Sequence, residues 1–307
     1  MSYHVPVMLS ECIEGLEIKP DGVYVDVTFG GGGHSSAILE KLKAGKLYAF
    51  DQDEDAVKNF ELLQSTISIN SEKKIELIKA NFRFLKKYLR LHGIAKVDGI
   101  LADLGVSSHQ FDTAERGFSF RFDAELDMRM GKGIELTARK VINNYSEQDL
   151  HKIFGMYGEI HNSKTLATAI VNARAREEIK TTGDLKKIAL KLAKRGQENK
   201  YMAQLFQALR IEVNDEMRAL EEMLLQTQEV LKPGGRLVIM TYHSLEDRPV
   251  KNYIKHGKLF GEAEKDVFGN VDVPFEGITR KPMEAREEET LTNPRARSAK
   301  LRIAKRK

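Results

Sequence analysis

Short apolar runs alternate with amphipathic stretches through the first third of the chain. Residues 22–25, 46–51, 75–78 and 97–102 are rich in β-branched and aromatic residues and predict buried strands. Residues 6–16, 34–42, 53–63 and a stretch ending near 91 carry apolar residues at helical spacing. Strands that alternate with helices specify a parallel sheet with right-handed crossovers, so the loops after the strands line one crevice.

The pattern then changes, and no strand is predicted again until 236–242. Ser146 to Asp149 resembles a capping box that starts a helix, and Thr182 is predicted to cap another. Residues 202–231 predict two helices that end at Lys232-Pro233-Gly234-Gly235. This stretch is far longer than any ordinary loop, so a helical insertion of roughly 100 residues explains it.

The predicted fold is therefore a doubly wound, mostly parallel, Rossmann-like α/β sheet with an inserted all-helical domain. The sheet domain is predicted to be discontinuous, at 1–110 and 213–307, and the insertion to span 111–212. Residues 260–282 predict irregular structure, and Glu287-Glu288-Glu289 predicts a solvated charge run. Residues 299–304 alternate apolar and basic side chains, as a half-exposed edge strand does.

Composition places the chain among ordinary globular proteins, with 41% apolar and 31% charged residues in 307. The single cysteine, Cys12, excludes an intramolecular disulfide, and no apolar run has membrane-spanning length. The first residues lack the pattern of a signal peptide. We therefore expect a reducing, cytoplasmic location and no membrane partner.

The formal net charge of +4 is modest, but its distribution is uneven. The last thirteen residues contain seven Lys and Arg residues and no acid. Such a segment is either a solvated tail or a contact surface for a polyanion.

Four glycines, Gly30 to Gly33, stand where the first strand turns into a helix. Glycine lacks Cβ and lets the backbone approach a ligand closely, and this position in a doubly wound sheet commonly binds a nucleotide-like ligand. Ser35 occupies the place of the third glycine in a dinucleotide fingerprint. The loop is not a phosphate loop either, since no Gly-Lys-Ser or Gly-Lys-Thr follows it. The loop therefore favours another ligand or a purely structural turn.

Two acids change that choice. Asp26 precedes the loop, and Asp51 ends the second strand, where an acid can bind two ribose hydroxyls or cap the next helix. This order looks like the first two motifs of S-adenosylmethionine-dependent methyltransferases. The cofactor's sulfonium and amino groups are positive, so nearby acids are favourable.

Motifs along nearly the whole chain carry a closer resemblance. They are His4 to Leu9, Thr28 to Ser35, Asp103 to Ser108, Glu115 to Arg121, Leu126 to Met130, Phe206 to Ile211, His243 to Arg248 and Asn293 to Ser298. In these the chain resembles the ribosomal small subunit methyltransferase H family, bacterial enzymes that methylate cytosine N4 in 16S ribosomal RNA. Thr241-Tyr242 stands where the family usually has Ser-Phe, and Ala124-Glu125 where it often has Gly-Pro.

The resemblance implies a class I methyltransferase fold, S-adenosyl-L-methionine as cofactor, and N4-methylation of a cytidine in the decoding region of 16S rRNA within the small ribosomal subunit. It implies no metal. It also implies a set of cofactor contacts, namely Gly32, Gly33, His34, Asp51, Phe82, Asp103 and Gln110. Without this resemblance, the favoured interpretation of Phe82 is an ordinary aromatic residue of the core.

The catalytic groups are less defined. The cytosine amine lone pair is delocalised, so it needs acceptors for its hydrogens and aligned placement against the methyl carbon. Candidates after the fourth and fifth strands are Asp103, Ser107, Ser108, Tyr242 and His243. A dedicated base is not required if proton loss is late.

RNA contact is expected from the insertion and the tail. Groups of suitable type are Arg116, Phe118, Phe120, Arg121, Arg129, Arg295 and Arg297. The alternative is that the phenylalanines fill a core and the arginines pair with Glu115, Asp123 and Asp127. Two other functions stay open on the residues: methylation of a small molecule or protein, and ribosome assembly without catalysis.

Overall fold

The structure is a computed structural model that describes residues 6–66, 74–131, 133–261 and 273–307. Two compact units divide the chain: Met1–Gly105 with Met217–Lys307, and Val106–Glu216. We call them the sheet unit and the helical unit. The predicted insertion, residues 111–212, falls within the second. Every described helix is too short or too polar to span a bilayer.

Eight strands form one sheet. They are β1 Val23–Asp26, β2 Lys46–Asp51, β3 Ile75–Lys79, β4 Val97–Asp103, β5 Leu231–Thr241, β6 Phe275–Gly277, β7 Met283–Glu284 and β8 Lys300–Arg306. The order is β3-β2-β1-β4-β5-β8-β6, with β7 beside β8. Strands β1 to β5 are mutually parallel, and β8 runs antiparallel to β5, β6 and β7. The predicted mostly parallel α/β sheet is confirmed.

Most helices follow the predicted periodicity, whereas the helices at Ser108–Asp112, Ala138–Asn144 and Glu287–Thr292 were not predicted. They are α1 Leu9–Leu16, α2 Gly33–Lys41, α3 Glu54–Thr66, α4 Leu85–Leu91, α5 Ser108–Asp112, α6 Ala138–Asn144, α7 Glu147–Met156, α8 Ser163–Arg174, α9 Thr182–Ala189, α10 Glu198–Asn214, α11 Glu216–Val230, α12 Ser244–His256 and α13 Glu287–Thr292. The break between α10 and α11 falls at Asp215, whose φ of +50° lies in the left-handed region and ends the first helix.

The sheet is buried on both faces. Consecutive residues of a strand point to opposite faces, so Val25 packs in one apolar cluster with Phe50 and Leu237, while Tyr24 packs in another with Leu47. The helical unit has a separate core, built from every helix after α5 that the unit contains. Each unit therefore buries its own apolar cluster.

Several predicted boundaries are wrong; α10, for example, begins at Glu198 rather than at residue 202. Strand β5 begins at Leu231 rather than at residue 236, because Leu231 pairs with Val97 before the register shifts around the turn at Pro233. Helix α9 is capped by Thr181 rather than Thr182. The Thr181 side chain accepts from the Asp184 N–H, and the Asp184 side chain accepts in return from the Thr181 N–H.

The C-terminal segment also differs from its prediction. Strand β8 is not a half-exposed edge strand, because β5 and β6 flank it and Leu301 to Ala304 are buried. The alternation of apolar and basic residues gave the wrong prediction here, since Arg302 is buried and paired with Asp247. In the irregular stretch 260–282, residues 262–272 lie outside the described residues, and β6 is a strand the prediction lacked. Glu289 is not merely solvated, because its Oε1 accepts from the Met8 N–H at 2.7 Å.

Candidate functional site

The carboxyl ends of β1 to β5 meet at one edge of the sheet, because these strands are parallel. The strand order reverses between β1 and β4. From β1 the following strands β2 and β3 lie on one side, and from β4 the following strand β5 lies on the other. Ligands of open α/β sheets bind outside the strand ends at such a point. The glycine loop follows β1 and Asp103 ends β4, so both stand at the reversal.

Asp26 is the anchor of the glycine loop. It is 1% exposed, its Oδ1 accepts from the Thr28 N–H at 3.0 Å, and its Oδ2 accepts from the Ser35 hydroxyl at 2.7 Å. These bonds join the end of β1 to the start of α2. Burial raises the pKa of Asp26 above its ordinary value. Asp26 is therefore a structural acid rather than a ligand-facing one.

Close packing explains two of the four glycines. A Cβ on Gly32, whose φ is +79°, would lie 2.8 Å from the Phe29 ring. A Cβ on Gly33 would lie 2.3 Å from Pro6 Cγ. A Cβ on Gly31, by contrast, would meet nothing within 4 Å, so the loop leaves open space on that side for a ligand.

Asp51 holds the far side of the same loop. Its Oδ2 accepts from the Gly30 N–H at 2.8 Å and its Oδ1 from the Asp53 N–H at 2.8 Å. Asn59 adds a bond from its side-chain amide to the Gly30 carbonyl at 2.9 Å. Burial raises the pKa of Asp51 to about 6 despite the two backbone donors. Each carboxylate oxygen keeps a second lone pair with which to accept a hydroxyl.

Thr28 connects the glycine loop to the end of β4. Its hydroxyl accepts from the Asp103 N–H at 2.7 Å and lies 3.4 Å from Asp26 Oδ1, to which it donates. The two loops that flank the reversal are thus fixed to each other through one side chain.

The Asp103 carboxylate lies between two side chains. The Tyr242 hydroxyl donates to its Oδ1 at 2.7 Å, and His34 Nδ1 lies 3.8 Å from its Oδ2. His34 is 6% exposed, and its Nε2 lies 3.2 Å from the Val7 carbonyl oxygen. Burial raises the pKa of Asp103 to about 6, while His34 and Tyr242 act to lower it. Asp51 and Asp26 lie at the same edge of the sheet.

The turn after β5 is held by Glu246. This buried carboxylate accepts from the Tyr242 N–H at 2.8 Å, and its other oxygen lies 3.1 Å from His243 Nε2. A Cβ on Gly105, which has φ of +103°, would lie 3.3 Å from the Tyr242 ring. Tyr242 and His243 are therefore oriented side chains, each fixed by a carboxylate.

Phe82 follows β3 at the same edge. It begins a three-residue helical turn and is partly buried against the core of the sheet unit. The neighbouring Asn81 side-chain amide donates to Gln52 Oε1 at 2.9 Å, which joins the loops after β2 and β3. The partly open ring agrees with an apolar ligand contact and with a core residue alike.

Three predicted site residues belong to the helical unit. Gln110 is 6% exposed, and its Oε1 accepts from the Ser107 N–H at 3.1 Å, while the Ser107 hydroxyl accepts from the Gln110 N–H at 3.2 Å. These two residues form the capping box of α5. Ser108 is the first residue of that helix, and its side chain lies outside the described structure.

Most of the predicted RNA contacts in the insertion have structural partners. Arg129 is bound to both oxygens of Asp127, at 2.8 and 2.7 Å, and Arg116 donates to the Arg129 carbonyl at 2.8 Å. Phe118 is 3% exposed, and Phe120 packs edge-on against Phe206. The core-filling alternative thus describes these residues. Arg121 and Arg297 are exposed.

Sequence reasoning missed the side chains that assemble the edge. Thr28, Ser35 and Glu246 all lie in quoted motifs, but nothing local shows which atom each one meets. A hydroxyl two residues after Asp26, and an acid three residues after His243, are the only signals that could have suggested these bonds. His4 and Val5 of the first motif lie outside the described residues.

Comparisons with known proteins agree along the full length. Residues 1–307 match the model of the MraW methylase family. A protein from Cytophaga hutchinsonii named ribosomal RNA small subunit methyltransferase H is 58% identical, over 99% of this chain and 99% of its own. A protein of the same name from Flavobacterium johnsoniae is 55% identical, over 99% and 98%.

Among solved structures, an rRNA methylase from Streptococcus thermophilus is 15% identical, with a TM-score of 0.42 over 100% of this chain and 98% of that one. Such a distant similarity adds nothing to the sequence matches. A family model that matches every residue, and identities above 50% over whole chains, are decisive. This chain belongs to the MraW methylase family.

Proposed function

We propose that this protein transfers a methyl group from S-adenosyl-L-methionine to the N4 amine of a cytidine in the decoding region of 16S ribosomal RNA, within the small subunit in the cytoplasm. The observation that carries the proposal is the carboxyl-rich edge at the strand reversal, in which Asp51 and Asp103 flank an open glycine loop. The choice of RNA rests on the full-length relatives, which are named as ribosomal RNA small subunit methyltransferases.

The residues at this edge fit the cofactor by charge and shape. S-adenosyl-L-methionine supplies an electrophilic methyl group on a positive sulfonium when it is bound. Asp51 accepts the two ribose hydroxyls with the lone pairs that Gly30 and Asp53 leave available. The open side at Gly31 admits the ligand against the backbone, with contacts from Gly32, Gly33 and His34.

Asp103 is assigned to the positive ammonium of the cofactor's methionine part. Its carboxyl group is mostly ionised at pH 7, because the pKa is raised only to about 6. A carboxylate that accepts from the Tyr242 hydroxyl and is 25% exposed can pair with a cation. Phe82 packs on the adenine ring, for which a flat apolar face is suited. Gln110 completes the proposed contacts.

The methyl acceptor requires orientation more than activation. In the transfer, the bond from N4 to the methyl carbon would form as the carbon–sulfur bond breaks, the sulfur would leave as a neutral thioether, and N4 would lose one proton to water or to a candidate acceptor. A positive leaving group makes that proton loss easy, so hydrogen-bond acceptors that align the amine are sufficient. Tyr242 and His243 are proposed to orient the base, since Asp103 and Glu246 fix their side chains. Asp103, Ser107 and Ser108 are the further candidate acceptors.

Methyl transfer to defined substrates tests the proposal. Small subunits, and RNA extracted from them, are prepared from a bacterial strain that lacks the endogenous enzyme, and labelled cofactor is added with the protein. We expect label in the RNA and N4-methylcytidine on mass analysis of its nucleosides. Label only in protein or in a small metabolite would refute the substrate. Tight cofactor binding without any transfer would instead favour an assembly factor.

A further inference from the structure

Two basic segments of the chain, the last thirteen residues and residues 186–200, differ in how the structure uses their charge. The last thirteen residues contain seven Lys and Arg residues, and residues 186–200 contain six with Glu198 as the only acid. Either segment alone exceeds the net charge of +4 for the whole chain. Exposure and pairing decide which of them presents positive charge to a partner.

Two of the seven C-terminal cations, Arg302 and Arg306, are bound inside the sheet unit. Arg302 donates to both oxygens of Asp247, at 2.7 and 2.9 Å, and is 8% exposed. Arg306 donates to the carbonyl oxygens of Gln228 at 3.1 Å and Pro274 at 2.8 Å. These guanidinium groups secure β8, so they are not available to a ligand.

The other segment links α9 to α10 in the helical unit, and five of its six cations are exposed. These are Lys187, Lys191, Lys194, Arg195 and Lys200, which we call the basic face. Lys187 lies 3.3 Å from Asp184, whereas the other four have no carboxylate within 4.0 Å in the part of the chain that the structure describes. The Glu198 carboxylate accepts from the Gly196 N–H.

Apolar residues between the cations fix this surface to the unit. Ile188, Leu192 and Ala193 pack against the core of the helical unit, so the charged side chains project from an anchored backbone. Favourable placement at a helix C-terminus explains Lys187, which lies in the last turn of α9. It does not explain the cations from residue 191 onward, because α9 ends at Ala189.

We propose that the basic face binds the phosphate backbone of the RNA substrate. The inference rests on the proposed function and adds a location for the polyanion contact. Clustered cations without carboxylate partners release counterions from a nucleic acid when they bind it. Residues 186–200 contain no aromatic side chain to stack on a base. The basic face therefore contributes affinity and leaves the choice of nucleotide to the site itself.

The test compares two triple variants of the full-length protein. One is Lys191→Ala, Lys194→Ala and Arg195→Ala. The control is Lys152→Ala, Lys164→Ala and Arg176→Ala, which removes three exposed cations that are dispersed over the same unit. Binding of a 16S ribosomal RNA transcript is titrated at several KCl concentrations, with circular dichroism and the thermal midpoint as checks on folding.

The basic-face variant is expected to bind RNA at least tenfold more weakly at low salt. The slope of log Kd against log salt should fall by roughly 2 to 3, since each lost phosphate contact removes about 0.7 to 0.9. The control should stay within about twofold of the wild type. An unchanged slope, an equal loss in the control, or a wild-type protein that binds no RNA overturns the proposal. RNA binding without methyl transfer would instead count against the proposed function alone.

Discussion

Replacing Tyr242 by Phe removes one oxygen atom from the centre of the site and leaves the ring in place. The lost group is the hydroxyl that donates to Asp103 Oδ1 at 2.7 Å. The ring still packs against Gly105, so the fold of the turn is retained. The substitution therefore isolates the effect of a single hydrogen bond on the Asp103 carboxyl.

The size of the effect follows from the charge on the acceptor. A hydrogen bond to a charged group contributes about 1.5–3 kcal/mol, and one pKa unit corresponds to about 1.4 kcal/mol. Burial already raises the pKa of Asp103 to about 6, and the Tyr242 bond opposes that rise. Without the bond, the pKa of Asp103 should be higher by up to roughly one to two units. The carboxyl would then be largely neutral at pH 7.

Calorimetric titration with S-adenosyl-L-methionine between pH 5.5 and 9 measures the consequence without any RNA. The ratio of the variant's Kd to that of the wild type cancels the titration of the cofactor and of Asp51, which both proteins share. We expect a ratio of about two to ten at pH 7 and close to one at pH 9. Tyr253→Phe, which removes another buried hydroxyl from the sheet unit, is the control and should give a ratio near one throughout.

A ratio that is constant across the pH range would refute this reasoning, because it would mean that the hydroxyl acts on packing and not on ionisation. A wild-type affinity that does not fall below pH 6 would refute it as well. In that case the charge on Asp103 would have no part in cofactor binding.

Three further substitutions, two of them with a matched control, test other parts of the structure. Asp51→Ala should weaken cofactor binding by a few kcal/mol at most. The control Asn59→Ala removes only a bond that anchors the glycine loop and should weaken binding much less. Equal losses of affinity on calorimetry would exclude a direct contact between Asp51 and the ribose. Gly33→Ala should destabilise the protein by about 1–3 kcal/mol in urea unfolding, whereas Gly31→Ala should have little effect. Similar losses of stability in the two variants would contradict the packing explanation. Asp103→Asn should raise the free energy of unfolding at pH 8 by up to about 3 kcal/mol, but not at pH 4. The reason is that a carboxyl group with a raised pKa makes the folded protein lose stability as the pH rises from about 4 through 6. An equal effect at both pH values would disprove this.

Local patterns were sufficient for the five parallel strands of the sheet. Strand β2 has the predicted bounds, and the glycine loop and Asp51 stand at the predicted places, because a strand, a turn and a strand end are set by neighbouring residues. A parallel sheet then brings the strand ends together without further information.

The bonds within the site could not be predicted in the same way. Tyr242 and Asp103 are 139 residues apart in sequence, and no periodicity encodes which side chains meet across two strands. The misjudged β8 has the same cause, since an arginine in a strand predicts exposure unless its buried partner, Asp247, is known. Long-range polar pairing is the part of this fold that composition and spacing leave open.

The pairing of β4 with β5 also constrains the order of events on the ribosome. Asp103 and Leu231 are separated by residues 104–230, which take roughly 6 to 25 s to synthesise at about 5–20 residues per second. Until β5 emerges, the β4 side of the nascent sheet is an open edge that can pair with another chain. The helices of the helical unit pack into their own core and can fold during that interval. Early folding of the insertion would shorten the loop that β5 must close, so mutations in the helical core should lower the yield of the folded sheet unit.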